Sequence, residues 1–420
     1  MKQYKRTSIL LRCLLAASLA VTGAGSAEAA TTPDTTIRIG ALLSLTGNWS
    51  SLGNMSKTLL GMAKRDVNHY LAAHGSAKRV DVLVRDTRLD PDIALEKFRE
   101  LIDQRVVAVV GPQSSSEVGK LKDLADRRKI PLISQGSTAS TLALPGDMVY
   151  RLVPDDSHES EAMTALLTSR NVQVVIPVWR HDAGNDGLHS SLKKRFEATG
   201  GTVMPGVRYN PDTQDFAPVA AQIQAQVNSA LQTHAAASVA VYLAGFDEVV
   251  SLFHAAEPIA VLKSIKWYGS DGVALSAALL VDVPAAQFAM AVDYPNPIPG
   301  LPQTSKDKWQ VLSDRVFALT GQRPDAFALA AYDAFWIAAL NASYNKAAQR
   351  NTDKNILAQT ANLYFGATGW TALNRAGDRK YGDYDFWALR QDTQGVLQWV
   401  SVCRYDTTSG QGETLTCPVN

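Results

Sequence analysis

The chain has 420 residues, of which 46% are hydrophobic and 19% are charged, a composition that is typical of a globular protein and excludes a disordered chain or a membrane bundle. Its 41 basic and 40 acidic residues give a net charge of +1, which provides no electrostatic basis for binding nucleic acid or an anionic membrane. We therefore expect a sizeable buried core and no nucleic-acid partner.

The first 29 residues have the pattern of a cleaved secretory signal peptide. A start rich in Lys and Arg precedes a short apolar run over residues 13–22, and Ala27 and Ala29 provide the small side chains that a signal peptidase requires. The apolar run is about half as long as the roughly 20 residues that span a bilayer. Arg12 precedes Cys13 where a bacterial lipobox requires a small residue, so we do not expect a lipid anchor. These features predict an exported protein.

From residue 37 onward, short apolar runs alternate with longer amphipathic runs, the pattern of a parallel sheet with helices between its strands. In the first part of the chain we predict strands over residues 37–43, 80–86, 106–110 and 131–134, and helices over residues 53–73, 91–104 and 116–129. The alternation then begins again, with strands over residues 172–178, 203–209, 239–243 and 265–269 and helices over residues 157–170, 188–199, 216–232 and 247–256. Two doubly wound α/β lobes follow from this repetition.

The pattern after Asp271 is less regular. It predicts a strand over residues 288–293, a proline-rich connection over residues 294–300, and helices over residues 306–320, 325–344 and 356–363. Periodicity leaves open which lobe these elements complete.

Two cysteines remain after signal cleavage, Cys403 and Cys417. They fall in short predicted strands, residues 398–405 and 413–417, and an even pair in an exported protein is a disulfide candidate. The alternative is a pair of unpaired buried thiols. Two cysteines without a nearby histidine are too few to bind a metal, so we expect no metal site.

The chain contains no recognisable catalytic motif. A nucleophile elbow, a phosphate loop and a dinucleotide-binding glycine pattern are all missing from the sequence, and His158-Glu159 lacks the second histidine of a zinc motif. His181-Asp182 is either half of a triad or a solvated polar pair. We therefore predict a protein that is not an enzyme, with no catalytic residues and no cofactor.

Two loops at the predicted carboxyl ends of first-lobe strands are rich in hydroxyl groups, and ligands of parallel sheets bind at such ends. The first contains Ser114, Ser115 and Ser116, and the second contains Gly136, Ser137 and Thr138. Ser114 and Glu117 have the spacing of a capping box, and a helix start of this kind can bind a carboxylate. Taken singly, each loop is also explained by ordinary capping or turn chemistry.

Six segments carry a resemblance to a known family. They are residues 39–47, Gly53 at the opening of the first helix, and residues 110–115, 131–134, 268–272 and 331–334. Together they resemble the bacterial periplasmic solute-binding proteins of the leucine/isoleucine/valine-binding family, which serve ABC importers. The resemblance covers essentially the whole chain after the signal peptide.

The resemblance implies a type I clamshell, in which two doubly wound parallel-sheet lobes are joined by a three-strand hinge and close over a ligand. We expect a signal peptide over residues 1–29, a first lobe of residues 30–153 and about 295–377, and a second lobe of residues 154–294 and about 378–420. The implied function is periplasmic binding of a branched-chain amino acid or a similar amino-acid or amide ligand, delivered by a monomer to an ABC permease in the inner membrane.

The family also implies roles for individual residues. Its serine ligand of the amino-acid carboxylate matches Ser115, with Ser114 and Ser116 beside it. A backbone carbonyl and a hydroxyl that bind the ammonium group match Gly136 and Thr138, with Ser137 between them, and a second-lobe carboxylate matches Asp271. These roles agree with donors at a helix start for an anion and a negative charge for a cation.

The chain departs from the family at two pocket positions. Tyrosines of the family are replaced by Leu52 and by the stretch that contains Gly184 and Asn185. Trp49, Trp179 and Phe246 are the candidates to replace these aromatic walls, with ordinary packing as the alternative for each. The ligand is therefore left open, as are two other hypotheses, a ligand-sensing regulatory domain of the same fold and a secreted α/β hydrolase.

Overall fold

The structure is a computed structural model that describes residues 36–344, 355–407 and 413–418. The predicted signal peptide lies outside these ranges. Within them, strands and helices alternate as the periodicity predicts.

The first lobe is built on a five-stranded parallel sheet. In chain order its elements are β1 (Thr36–Leu43), α1 (Ser50–Ala73), β2 (Arg79–Asp86), α2 (Pro91–Asp103), β3 (Ala108–Val110), α3 (Ser115–Arg128), β4 (Leu132–Ser134) and β5 (Val149–Arg151). The strand order is β2-β1-β3-β4-β5. Ile39 and Ala41 face the core that contains α1, whereas Leu42 faces the core that contains α2. Strands β3 and β4, in the middle of the sheet, are buried throughout, as expected where helices cover both faces.

The second lobe repeats this arrangement on a second parallel sheet, in the order β10-β9-β6-β7 with β8 also paired to β6. Its elements are α4 (Asp156–Ser169), β6 (Val174–Arg180), α5 (Ala183–Ala198), β7 (Thr202–Val203), β8 (Val207–Tyr209), α6 (Ala217–Ala230), β9 (Val239–Ala244), α7 (Val249–Ala256), α8 (Ala260–Lys263), β10 (Lys266–Tyr268), α9 (Ala277–Val281) and α10 (Val283–Ala291). The single strand predicted over residues 203–209 is two short strands, since Gly206 has a φ of +75° between them.

Residues 288–293 do not form the strand that their apolar pattern predicts, because most of them belong to α10. Asp282 caps this helix by accepting a hydrogen bond from the N–H of Ala285 at 3.0 Å, and Pro284 occupies an early helical position. A short apolar run does not distinguish a strand from a buried helical segment. Here the helix start lies upstream of the run.

The last part of the chain contributes to both lobes. Its elements are β11 (Asn296–Pro299), α11 (Lys306–Thr320), α12 (Ala326–Tyr344), α13 (Asn355–Asn362), β12 (Phe365–Gly366), β13 (Gly369–Trp370), β14 (Tyr384–Gln391), β15 (Leu397–Asp406) and β16 (Thr414–Thr416). Phe327 and Phe335 of α12 pack in the core that contains β1, whereas Tyr384 and Phe386 of β14 pack against α4. The chain therefore passes between the lobes after β5, around β11 and before β14.

Helix α12 contains a window that is long and apolar enough to cross a membrane, and no other helix in the described ranges has one. This window, Ala326–Ser343, is 89% buried inside the fold, which identifies a core helix. Asp333 lies within it and accepts hydrogen bonds from the N–H groups of Ala367 and Thr368, each at 2.8 Å. The carboxylate therefore ties α12 to the β12–β13 hairpin.

A disulfide bond joins Cys403 of β15 to Cys417, with Cα atoms 4.1 Å apart. Strands β15 and β16 pair in antiparallel fashion, and Arg404 lies opposite Thr416. The bond therefore closes a C-terminal hairpin. For a loop of this length, the stabilisation is on the order of 3 kcal/mol.

Gly53 lies in the first turn of α1, which begins three residues earlier than expected, at Ser50. A Cβ atom at Gly53 would lie 1.7 Å from the carbonyl oxygen of Ser44. We expect Gly53→Ala to lower the free energy of unfolding by about 1–3 kcal/mol, measured by urea denaturation. The control is Gly61→Ala in the same helix, where a Cβ would have no atom within 4 Å. This substitution should raise the free energy of unfolding by up to about 1 kcal/mol. Equal effects of the two substitutions would contradict this explanation.

Candidate functional site

The candidate site lies where loops of the two lobes meet at the carboxyl ends of their parallel strands. The N–H of Ala183, at the start of α5, donates a hydrogen bond to Oγ of Ser116 at 3.1 Å. The N–H of Asp156, at the start of α4, donates to the carbonyl oxygen of Thr138 at 2.9 Å. These bonds bring both predicted first-lobe loops into direct contact with the second lobe.

Ser114 is committed to capping α3. Its Oγ accepts a hydrogen bond from the N–H of Glu117 and donates one to Oε2 of Glu117 at 2.7 Å, so the capping box predicted from the spacing is confirmed. The hydroxyls of Ser115 and Ser116 also form hydrogen bonds. Their partners, however, lie in the neighbouring loop and in the second lobe.

Ser115 is the residue at which the two first-lobe loops and α5 converge. Its Oγ accepts a hydrogen bond from the N–H of Ala139 at 3.1 Å and lies 3.0 Å from Oγ of Ser137. A Cβ atom on Gly184, in the first turn of α5, would lie 3.5 Å from the same oxygen. Helix α3 therefore begins at Ser115, and α5 begins close beside it. Helix starts carry N–H groups without intrahelical partners and favour negative charge, so this region is suited to an anion.

Gly136 is packed against aromatic and apolar side chains. A Cβ atom there would lie 3.1 Å from Cη2 of Trp49 and 3.4 Å from Cδ2 of Leu52. Trp49 stacks on Phe246 of the second lobe, with ring centroids 4.4 Å apart and an interplanar angle of 25°. The two predicted aromatic walls are thus in contact with each other across the cleft. Trp179 stacks on His189 instead and does not join them.

Three carboxylates cluster on the second lobe beside Thr138. The N–H of Asp271 donates a hydrogen bond to Oε1 of Glu159 at 3.3 Å, and Asp156 and Glu159 are one turn apart on α4. Asp156 and Glu159 are 0% exposed and Asp271 is 8% exposed. Both side-chain oxygens of Asp156 and Oε2 of Glu159 lack a hydrogen bond of normal geometry, although the hydroxyl of Thr138 lowers the pKa of Asp156, and none of the three residues forms an ion pair with another described residue.

Burial dominates the titration of this cluster. Burial and the charge of Asp271 raise the pKa of Asp156 to about 8, and burial raises the pKa of Asp271 to about 6. Burial and the charges of Asp271 and Asp156 also raise the pKa of Glu159. Burial, followed by the charges of the three carboxylates, raises the pKa values of Tyr242 and Tyr384 as well. Without a counter-charge, the cluster therefore retains protons near neutral pH.

The raised pKa of Asp156 predicts a pH dependence of stability in the absence of ligand. Between the ordinary value of 3.8 and about 8, the folded state holds a proton that the unfolded state has lost, so the free energy of unfolding falls as pH rises. Asparagine does not titrate. Urea denaturation at each pH measures the free energy of unfolding of Asp156→Asn and of the wild type. The value for the variant minus the value for the wild type should rise by at least about 1.4 kcal/mol, the equivalent of one pKa unit, between pH 4 and pH 8. A difference that does not vary with pH would contradict the prediction.

Asp156 and Glu159 are the site residues that the sequence analysis missed. Glu159 enters the sequence analysis only as part of an incomplete zinc motif with His158, and Asp156 does not enter it. The available signal was their spacing of three, directly after the first passage between the lobes at Pro154. No group of three or more His, Cys, Asp or Glu side chains suited to a metal ion occurs in the described ranges.

Two large cavities adjoin the segments that connect the lobes. One, of about 960 Å³, is lined by residues of both lobes, including Trp49, Asp247 and Trp387. The other, of about 610 Å³, lies against the crossing segments near Pro154 and Arg379. Neither cavity is lined by the site residues that meet at Ser115 and Asp271. Buried carboxyl groups and helix starts, and not open volume, therefore mark the candidate site.

Comparison with known proteins identifies the family and the fold. Residues 60–392 match the family described as the receptor family ligand binding region. An uncharacterized protein of Methanocaldococcus jannaschii, MJ1266, is 28% identical over 393 residues, which cover 89% of this chain and 91% of that protein.

Three solved structures are similar over almost their whole length. The leucine-binding protein LivK of Thermotoga maritima is 19% identical with a TM-score of 0.68, covering 87% of this chain and 98% of its own. LivJ of Streptococcus pneumoniae, solved with isoleucine, is 18% identical with a TM-score of 0.67, and the similarity covers 91% of this chain and 100% of LivJ. The third is a solute-binding protein of an ABC transporter from Rhodopseudomonas palustris, solved with 3,4-dihydroxybenzoic acid. It is 17% identical with a TM-score of 0.69, and the similarity covers 89% of this chain and 98% of that protein. At these identities the similarity establishes the fold, and the predicted two-lobed parallel-sheet architecture is confirmed.

Proposed function

Because the chain belongs to the family described as the receptor family ligand binding region, we propose that it is a periplasmic substrate-binding protein of an ABC importer. It holds a small amino-acid-like ligand between its lobes. The observation that carries the proposal is the opposite polarity of two neighbouring regions. Helix starts around Ser115 are suited to a carboxylate, and the unpaired carboxylates of Asp156, Glu159 and Asp271 are suited to an ammonium group.

In this proposal the first lobe and the start of α5 in the second lobe supply the anion site, and the second lobe supplies most of the cation site. Ser115 and the starts of α3 and α5 bind the ligand carboxylate, while the hydroxyl of Thr138 and the carboxylate of Asp271 bind the ammonium group. Bending of the three connecting segments opens and closes the cleft. The ligand leaves chemically unchanged and passes to a permease in the inner membrane.

We further propose the accompanying features predicted from the sequence. They are export through a cleaved signal peptide over residues 1–29, a monomeric state, and a division into residues 30–153 with about 295–377 and residues 154–294 with about 378–420. The packing of α12 with β1 and of β14 with α4 supports this division. The solved relatives support a small-molecule ligand, and the two bound molecules named above, an amino acid and an aromatic acid, differ in whether they carry an amino group.

A thermal-shift screen tests the proposal. The protein from residue 30 onward is freed of bound ligand by unfolding and refolding, and is then mixed with α-amino acids, amides and simple carboxylates. A ligand at about 100 times its Kd stabilises by about 2.7 kcal/mol, which gives a clear shift in Tm. We expect a shift with at least one α-amino acid and none with carboxylates that lack an amino group. Shifts with such carboxylates alone, or with no compound, would contradict the proposal.

A further inference from the structure

The three buried carboxyl groups beside Thr138 outnumber the single ammonium group of a branched-chain amino acid. We propose that the ligand is a dibasic α-amino acid, with a second cationic group on its side chain, and not a branched-chain amino acid. This inference rests on the proposed function, because it assigns a chemical class to the ligand of the same site.

The first support is the missing counter-charge. Asp156, Glu159 and Asp271 form no ion pair within the described residues. Arg151 is the basic side chain whose charge lowers the pKa of Asp156, but its Nε and Nη2 are bound by Asp378 at 2.5 and 2.8 Å. Its Nη1 donates to the carbonyl oxygen of Ala139 at 2.7 Å. The basic side chain that acts on the cluster is therefore already committed.

The second support is that the carboxylates form two positions. Asp156 is adjacent to Thr138, whose carbonyl oxygen accepts its backbone N–H. Glu159 is adjacent to Asp271, whose N–H it accepts at 3.3 Å. Residues three apart on a helix have Cβ atoms roughly 5–6 Å from one another. With the α-ammonium group at Thr138 and Asp271, the carboxyl groups of Asp156 and Glu159 remain for a second cationic group, which a short aliphatic chain joins to the first.

The third support is a set of buried polar atoms that lack partners. The oxygens Oδ1 and Oδ2 of Asp156 and Oε2 of Glu159 are fully buried and lack a hydrogen bond of normal geometry, although the hydroxyl of Thr138 is near enough to lower the pKa of Asp156 and the carboxyl groups of Glu159 and Asp271 interact with each other. Oη of Tyr384 is also buried without a partner, and the charges of Glu159, Asp271 and Asp156 add to the raised pKa of this phenol. Buried polar atoms are almost always hydrogen-bonded, so these unpaired oxygens indicate donors that a ligand supplies. An ammonium group supplies three donors.

Isothermal titration of the ligand-free protein tests the inference with ornithine, lysine, leucine, isoleucine and 1,4-diaminobutane. We expect ornithine or lysine to bind at least tenfold more tightly than leucine, isoleucine and the diamine. Leucine or isoleucine binding as tightly as the dibasic amino acids would overturn the inference and leave the proposed function intact. The diamine binding as tightly as ornithine would also overturn it, since the carboxylate would then be dispensable. Failure of all four amino acids to bind would overturn the inference, whereas failure of every α-amino acid in the thermal-shift screen would contradict the proposed function itself.

Two variants locate the second cation. In Asp156→Asn and in Glu159→Gln, the preference for ornithine over leucine, expressed as the ratio of their Kd values, should fall at least tenfold. Circular dichroism and thermal melting establish that each variant is folded. Asp147→Asn is the matched control, because Asp147 is 9% exposed and precedes β5 at the opposite end of the sheet. Equal losses for both ligands in both cleft variants would overturn the inference.

Discussion

Replacing Arg151 with methionine is expected to lower the free energy of unfolding by about 3–5 kcal/mol, because the substitution leaves a buried carboxylate without its partner. The side chains of Arg151 and Asp378 are 0% and 1% exposed, and two nitrogens of the guanidinium bind the two carboxylate oxygens. The pair joins the last strand of the first sheet to the third segment that connects the lobes. Guanidinium chloride denaturation measures the loss.

The control is Arg323→Met, which breaks an ion pair with Asp314 whose side chains are 54% and 58% exposed. Exposed pairs contribute about 0–1 kcal/mol, so this variant should remain close to wild type. The double variant Arg151→Met/Asp378→Leu should recover much of the lost stability, since it removes both buried charges. A small effect of Arg151→Met alone would contradict the importance of the buried pair.

Asp271→Asn and Ser115→Ala are each expected to weaken binding of an α-amino acid by about 1–3 kcal/mol, or about 5- to 150-fold in Kd. Each removes a group that contacts one charged end of the ligand in the proposed function. Isothermal titration measures the change, with Asp147→Asn as the control that retains affinity. Unchanged affinity in both variants would show that the ligand binds elsewhere.

The strands and the lobes could be predicted from the sequence because parallel strands covered on both faces are short apolar runs. Residues 37–43 and 239–243 show this pattern and fall within β1 and β9. Local chemistry was equally informative at Ser114 and Glu117, whose spacing predicts the capping box that forms. These features depend on residues close together in the chain.

Features that depend on distant residues could not be predicted in the same way. Trp49 and Phe246 stack across the cleft although almost 200 positions separate them, and neither local sequence indicates the other as a partner. The cluster of Asp156, Glu159 and Asp271 brings the start of one helix to the end of a distant strand. The strand predicted over residues 288–293 was wrong for a local reason, because the pattern of a short apolar run does not distinguish a strand from a buried helix.

A crystal structure of the protein with a bound α-amino acid tests the central claim most directly. We predict that the ligand lies between the lobes, with its carboxylate at Ser115 and the starts of α3 and α5 and its ammonium group at Thr138 and Asp271. A ligand bound instead in the cavity of about 960 Å³ beside Trp387, or outside the cleft, would contradict the account.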